Sequence, residues 1–165
     1  MTYIDLRLRA SALLWVFLDV DGVLTDGGLY YNEHGETFKR FNALDGQGIK
    51  MLQQRGVGVG ILSGREHPAV NRRAMELGID AVIQGAGDKL GALNEWRSTR
   101  NLDLGHIGHM GDDLPDVPVL QAVGFGASVV NGHPRAIEAA RWTSIRRGGH
   151  GAVREWCDLI LESKS

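Results

Sequence analysis

Five short apolar runs, each separated from the next by a longer amphipathic stretch, restrict this chain to a parallel sheet covered by helices. The runs are Leu13–Leu18, Val57–Leu62, Ala81–Gln84, His106–Met110 and Val123–Ala127. They are rich in Val, Ile and Leu without strict alternation, as strands buried on both faces are. Helical spacing fills the intervals at Asp45–Arg55, His67–Leu77, Lys89–Arg97, Leu114–Ala122 and Pro134–Ala140. Asp45 reads as an N-cap and Gly56 as a C-terminal stop for the first of these. A last helix from Gly151 to Leu161 gathers Val153, Trp156, Cys157 and Ile160 on one face. Many of the 23 glycines stand at the ends of apolar runs, where tight strand-to-helix turns need positive φ or close backbone approach.

One segment interrupts the alternation. Leu29–Tyr31 and Thr37–Phe41 flank Asn32-Glu33-His34-Gly35, the pattern of a β-hairpin with a polar turn, directly after the first strand. No repeat, low-complexity tract or dividing linker is present, so residues 1–165 read as one domain. The stretch Ala12 to Leu18 is too short to span a membrane and runs into Asp19 and Asp21. A net charge of -2 without Lys/Arg clustering argues against a nucleic-acid partner. Cys157 is the only cysteine, so no disulfide can close within the chain, and a cytoplasmic location is expected.

The chemistry concentrates at the ends of the predicted strands, the edge where open parallel sheets bind ligands. Phe17-Leu18-Asp19-Val20-Asp21-Gly22-Val23-Leu24-Thr25-Asp26 places two carboxylates just past the first strand. Two like charges about 4 Å apart repel by roughly 4 kcal/mol at an effective dielectric near 20. A divalent cation removes that cost and also neutralises an incoming phosphate. Ser63, Gly64 and Arg65 follow the second strand, where a hydroxyl and free N–H groups suit phosphate oxygens, although a serine here also suits a helix cap. Lys89 opens a helix, against the dipole, which points to an anionic partner. After the fourth strand, Gly111-Asp112-Asp113-Leu114-Pro115-Asp116 holds three carboxylates in five residues. Dipole stabilisation of a first turn accounts for one or two of them; a bound cation accounts for all three.

Taken in order, Asp-x-Asp, Ser, Lys and Gly-Asp-Asp-x-x-Asp resemble the haloacid dehalogenase superfamily of phosphohydrolases from Phe17 to about Phe125. The resemblance implies a Rossmann-like α/β fold, a parallel sheet sandwiched by helices. It implies that Asp19 attacks phosphorus and that Asp21 protonates the leaving alcohol and then activates water. Ser63 and Lys89 would hold the phosphoryl oxygens. Magnesium would be held by the Asp19 carboxylate, the Asp21 backbone carbonyl and Asp112, with Asp113 or Asp116 orienting outer waters. The intervals Asp26 to Val57 and Ser63 to Lys89 leave no room for a cap domain.

Over nearly its whole length the chain is similar to one capless branch, the 3-deoxy-D-manno-octulosonate 8-phosphate phosphatases of lipopolysaccharide sugar synthesis. The matching stretches are Asp21 to Gly27, Phe41 to Ile49, Gly64-Arg65, Gly111 to Pro115 and Gly148 to Glu155. That branch forms homotetramers through its hairpins, with one subunit helping to cover its neighbour's site. Arg65 and the glycine-rich tail would then bind the sugar-acid portion, and a guanidinium suits a carboxylate by bidentate pairing. Two departures stand out: Ser63 replaces a usual threonine, and Val129 to Pro134 departs from the usual Ala-Asp-Ala-His-Pro run. A nine-carbon sugar-acid phosphatase and a non-catalytic oligomerisation module are the competing readings. Arg65 favours the eight-carbon substrate over the former, and the intact acidic set argues against the latter.

Overall fold

A computed structural model describes residues 2–164. Six parallel strands form one sheet in the order β5-β4-β1-β6-β7-β8: β1 (Trp15–Leu18), β4 (Gly58–Leu62), β5 (Ala81–Ile83), β6 (Ile107–Met110), β7 (Phe125–Val129) and β8 (Trp142–Ser144). β2 (Tyr30–Asn32) and β3 (Gly35–Phe38) form a separate antiparallel hairpin. The helices are α1 (Tyr3–Ala12), α2 (Ala43–Gln54), α3 (Pro68–Leu77), α4 (Lys89–Ser98), α5 (Val117–Ala122), α6 (Pro134–Ala139) and α7 (Ala152–Ser163).

β1 lies in the middle of the sheet. Its Leu18 is in register with Ile61 of β4 on one side and Met110 of β6 on the other. The apolar side chains divide into two cores, one on each face. Val16, Leu18, Ile49, Met110, Val153, Trp156 and Ile160 belong to one, and Phe17, Leu62, Leu93, Ile107 and Val119 to the other. Successive β1 side chains therefore point to opposite faces, and the chain leaves the strand at Asp19 already fixed on both sides.

The expected α/β architecture with a hairpin after the first strand is present, with local corrections. Leu13 and Leu14 precede β1, and both hairpin strands are shifted toward the turn: β2 runs one residue later than expected, and β3 begins at Gly35 and ends at Phe38. Asp45 is not a cap: Asn42 caps α2, its side chain accepting from Leu44 N–H. Asp45 instead sits buried in the first turn and accepts from Gly151 N–H and Arg154 N–H, tying α2 to the start of α7. The Leu114–Ala122 segment is a 3₁₀ turn, Leu114–Asp116, followed by α5. Gly151 is the N-cap of α7, with φ 96°, rather than its first residue. Helix α1 and the short edge strand β8 lie outside the expected set. No helix among the described residues is long and apolar enough to cross a membrane.

Candidate active site

All nine residues singled out in the sequence line one cavity of about 180 Å³ at the carboxyl edge of the sheet: Asp19, Asp21, Ser63, Gly64, Arg65, Lys89, Asp112, Asp113 and Asp116. A larger groove of about 560 Å³ borders Tyr3, Trp142, Arg154 and Asp158. Among the described residues, no three of its acids approach closely enough to share a cation. Chemistry rather than size selects the smaller cavity.

Each strand end delivers one part. Asp19 follows β1, and its N–H donates to the Met110 carbonyl, so its position is set by β6 as well. The chain then turns through Gly22, φ 95°, and closes with Thr25 N–H donating to the Val20 carbonyl. Ser63 follows β4, buried, with its N–H on the Ile83 carbonyl and its own carbonyl receiving Ala86 N–H. Lys89 begins α4 after Asp88, whose side chain accepts from Gly91 N–H. Gly111 carries no side chain because the Asp116 carboxylate occupies that space.

Lys89 Nζ is 2.9 Å from Asp19 Oδ1 and 2.7 Å from Asp116 Oδ1, almost wholly buried. Burial works against its charge, and the two carboxylates more than reverse this, holding its pKa above the ordinary lysine value. Burial and the Asp116 charge push the Asp19 carboxyl up, opposed by Lys89. Burial and the charges of Asp19 and Asp116 push Asp112 up to about 8. Burial also acts to raise Asp116, but hydrogen bonds and charge from His109 and Lys89 prevail and hold it at about 2. One lysine is thus shared among three acids, and Asp112 is the acid left short of positive charge.

The donor set fits a hard divalent cation. One carboxylate oxygen each from Asp19, Asp112 and Asp116 lie within 4.8 Å of one another. Asp116 is already satisfied: Oδ1 accepts from Lys89 and His109, and Oδ2 from Asp112 N–H and Asp113 N–H. Asp112 Oδ1 is buried with no partner among the described residues. An orphaned buried oxygen beside Asp19 is what a cation with all-oxygen coordination would complete. The Asp113 side chain accepts from Leu114 N–H and forms a reciprocal cap with Asp116.

Three participants went unnoticed in the sequence. Lys39, from the end of the hairpin, reaches Asp21 Oδ1 at 2.5 Å and Glu36 Oε1 at 2.8 Å. Glu36 also meets Arg65 Nη2 at 2.7 Å, and Arg65 Nε stands 3.6 Å from Asp21. Arg65 therefore pairs with an acid of the hairpin and with Asp21. His109 stands behind Asp116 in the core. The only available signal was their charge within otherwise apolar or hairpin segments.

A parallel sheet with this acid–lysine constellation at its carboxyl edge defines a haloacid dehalogenase-like hydrolase. The profile of that name matches residues 81–153. The chain is 40% identical to the 3-deoxy-D-manno-octulosonate 8-phosphate phosphatase KdsC of Yersinia pestis over 95% of this chain and 84% of that protein. It superposes on the Moraxella catarrhalis phosphatase, crystallised with magnesium, phosphate and the sugar acid, at TM-score 0.96. That pair shares 39% identity and covers 99% and 94% of the two chains. The cobalt-bound Haemophilus influenzae phosphatase gives TM-score 0.91 and 35% identity over 94% and 91%. The chain belongs to the 3-deoxy-D-manno-octulosonate 8-phosphate phosphatase family.

Proposed function

We propose that this phosphatase hydrolyses 3-deoxy-D-manno-octulosonate 8-phosphate through an aspartyl-phosphate formed on Asp19. The observation that carries the reading is the placement of Asp19 at the end of β1, held by Lys89 and facing the same cavity as Ser63, Asp21 and Asp112. The Asp19 carboxylate bonds to phosphorus as the ester oxygen leaves, and Asp21 gives that oxygen its proton. Asp21, now charged, takes a proton from water as that water attacks phosphorus, which releases phosphate and restores Asp19. Ser63 and Lys89 hold the phosphoryl oxygens throughout, so catalysis is positioning and charge stabilisation. Asp19, the Asp21 backbone carbonyl and Asp112 would hold magnesium, which neutralises phosphate charge when bound. Asp113 and Asp116 shape that corner of the cavity. Asp116, whose oxygens are already engaged within the protein, anchors Lys89.

The sugar acid enters the proposal through Arg65 and the relatives. The Arg65 guanidinium is half exposed at the cavity mouth, where a substrate carboxylate can reach it. The glycine-rich tail lies close by: Gly149 N–H donates to the Val23 carbonyl and its own carbonyl receives Asn42 Nδ2. Among the described residues the hairpin pairs with no other strand, and it exposes Tyr31 and Phe38, which supports a homotetramer assembled through hairpins. Charge and cysteine usage support a cytoplasmic enzyme. The test is phosphate release, with magnesium, from the eight-carbon ester beside its nine-carbon analogue and an aryl phosphate. A clear preference for the eight-carbon ester is expected. Equal rates on all three would remove the sugar assignment, and no release from any would remove the enzyme reading.

A further inference from the structure

We propose that His109 is a positioning residue for Lys89, acting through Asp116. The inference rests on the phosphoryl-transfer role given to Lys89 above. His109 lies on β6 and is fully buried, its backbone in register with Phe17 on one side and Gly126 on the other. It shares a strand face with Ile107, which belongs to an apolar core, so the imidazole is a polar group set among hydrocarbon. A polar group there is costly unless its hydrogen bonds are made.

Only one of its nitrogens is satisfied. Nε2 is 2.8 Å from Asp116 Oδ1, and Nδ1 is buried with no partner among the described residues. The carboxylate fixes the tautomer. An ionised Asp116 can only accept, so Nε2 carries a proton and donates. The histidine therefore makes one hydrogen bond, through Nε2–H, and that bond is to the oxygen that also receives Lys89 Nζ at 2.7 Å.

This sharing sets the geometry of the site. Asp116 Oδ2 is pinned by two backbone N–H groups of the Asp112–Asp113 turn, and the Asp116 side chain rests on Gly111. The His109 bond fixes Oδ1, leaving the carboxylate no rotation about its terminal torsion. Lys89 then has one place where it reaches both Asp116 Oδ1 and Asp19 Oδ1. Without the imidazole, Oδ1 can turn, and the ammonium loses its fixed distance to the attacking carboxylate. A merely structural histidine would alter stability alone; a positioning histidine alters turnover at temperatures where the fold is intact.

The experiment compares wild type, His109→Leu and His109→Gln, the last keeping an N–H at the reach of Nε2. With saturating magnesium and an aryl phosphate, His109→Leu is expected to lose about 100-fold in kcat with little change in KM. His109→Gln should recover most of that loss. The Lys89 ammonium resonance, read by ¹⁵N NMR without substrate, should shift or broaden in the leucine variant and return in the glutamine variant. The wild-type imidazole should show its proton on Nε2. A folded His109→Leu with unchanged kcat and an unchanged Lys89 resonance would overturn the proposal. So would a glutamine variant no better than leucine, or a proton found on Nδ1 alone. If leucine prevents folding, the glutamine variant and the wild-type spectrum still decide. An inactive wild type would sink the phosphatase reading, whereas the two resonances would continue to report on His109.

Discussion

Lys39 Nζ lies 2.5 Å from Asp21 Oδ1, with only 1% of the lysine side chain exposed. The contact links the hairpin to the proposed acid–base residue. Burial works against the ammonium, and the two carboxylates Asp21 and Glu36 outweigh it, raising the lysine pKa. The hairpin is therefore more than an appendage. It supplies the cation that orients Asp21 and, through Glu36, the acid that holds Arg65.

Replacing Lys39 with Met should cost about 2 kcal/mol of stability, because Asp21 and Glu36 are left facing each other without their shared cation. Turnover should fall with it, since Asp21 is no longer held at one angle to the leaving oxygen. Denaturant melts and kcat on an aryl phosphate measure the two effects. A variant matching wild type in both would take Lys39 out of the mechanism.

Asp19→Asn should lower kcat by roughly 10⁴-fold or more, as loss of a nucleophile does. It should not unfold the protein. The carboxylate is crowded by burial and by the Asp116 charge, so a neutral amide relieves repulsion in the metal-free state. The metal-free melting temperature is accordingly expected to stay level or rise. Retained activity would move the nucleophile elsewhere.

Asp112 connects pH to the metal. Its folded pKa of about 8 lies far above the ordinary 3.8, so the metal-free native state holds a proton that the unfolded chain has released. Stability from this group is full below its unfolded value and is lost as pH rises from about 4 through about 8. Asp116 has the opposite shift, to about 2, and its contribution changes only at more acidic pH. The metal-free melting temperature should thus fall from mildly acid to mildly alkaline buffer, and magnesium should restore most at the alkaline end. Binding at neutral pH should also release a proton, read by calorimetry in buffers of different ionisation enthalpy. A magnesium effect independent of pH would mean that Asp112 is already ionised without the cation.

The sheet and the cavity were legible because they depend on local patterns. Buried parallel strands announce themselves as apolar runs, and the acids follow those runs directly, so strand ends and cavity walls come from the same residues. Helix α1 was not legible: Ala10 is its only fully buried residue, so no apolar stripe marks it. Its Thr2–Asp5 capping box was the remaining clue. β8 is three residues long, with Trp142 and Thr143 only half buried. Asp45 misled because an acid before a helix commonly caps it, whereas this one bonds to backbone more than a hundred positions away. Lys39 and His109 were hidden for the same reason. Their partners are distant in sequence or across a turn, and only tertiary packing brings a hairpin lysine to Asp21.

Gly22 offers a test of the metal corner that leaves every acid in place. Its φ of 95° suits glycine, and an added Cβ would overlap Asp112 Oδ2. Gly22→Ala therefore combines backbone strain of about 1–2 kcal/mol with displacement of a carboxylate whose buried Oδ1 has no partner among the described residues. The Asp112 backbone is held by the turn in which its N–H and that of Asp113 donate to Asp116, so its side chain must take up the displacement. The expected result is a folded protein whose magnesium requirement rises steeply and whose activity at ordinary magnesium falls about 100-fold. Excess magnesium should recover part of the loss, because the Asp19 carboxylate and the Asp21 carbonyl are untouched. Titrating activity against magnesium for both proteins separates the cases: coincident curves would show that Asp112 does not contact the ion.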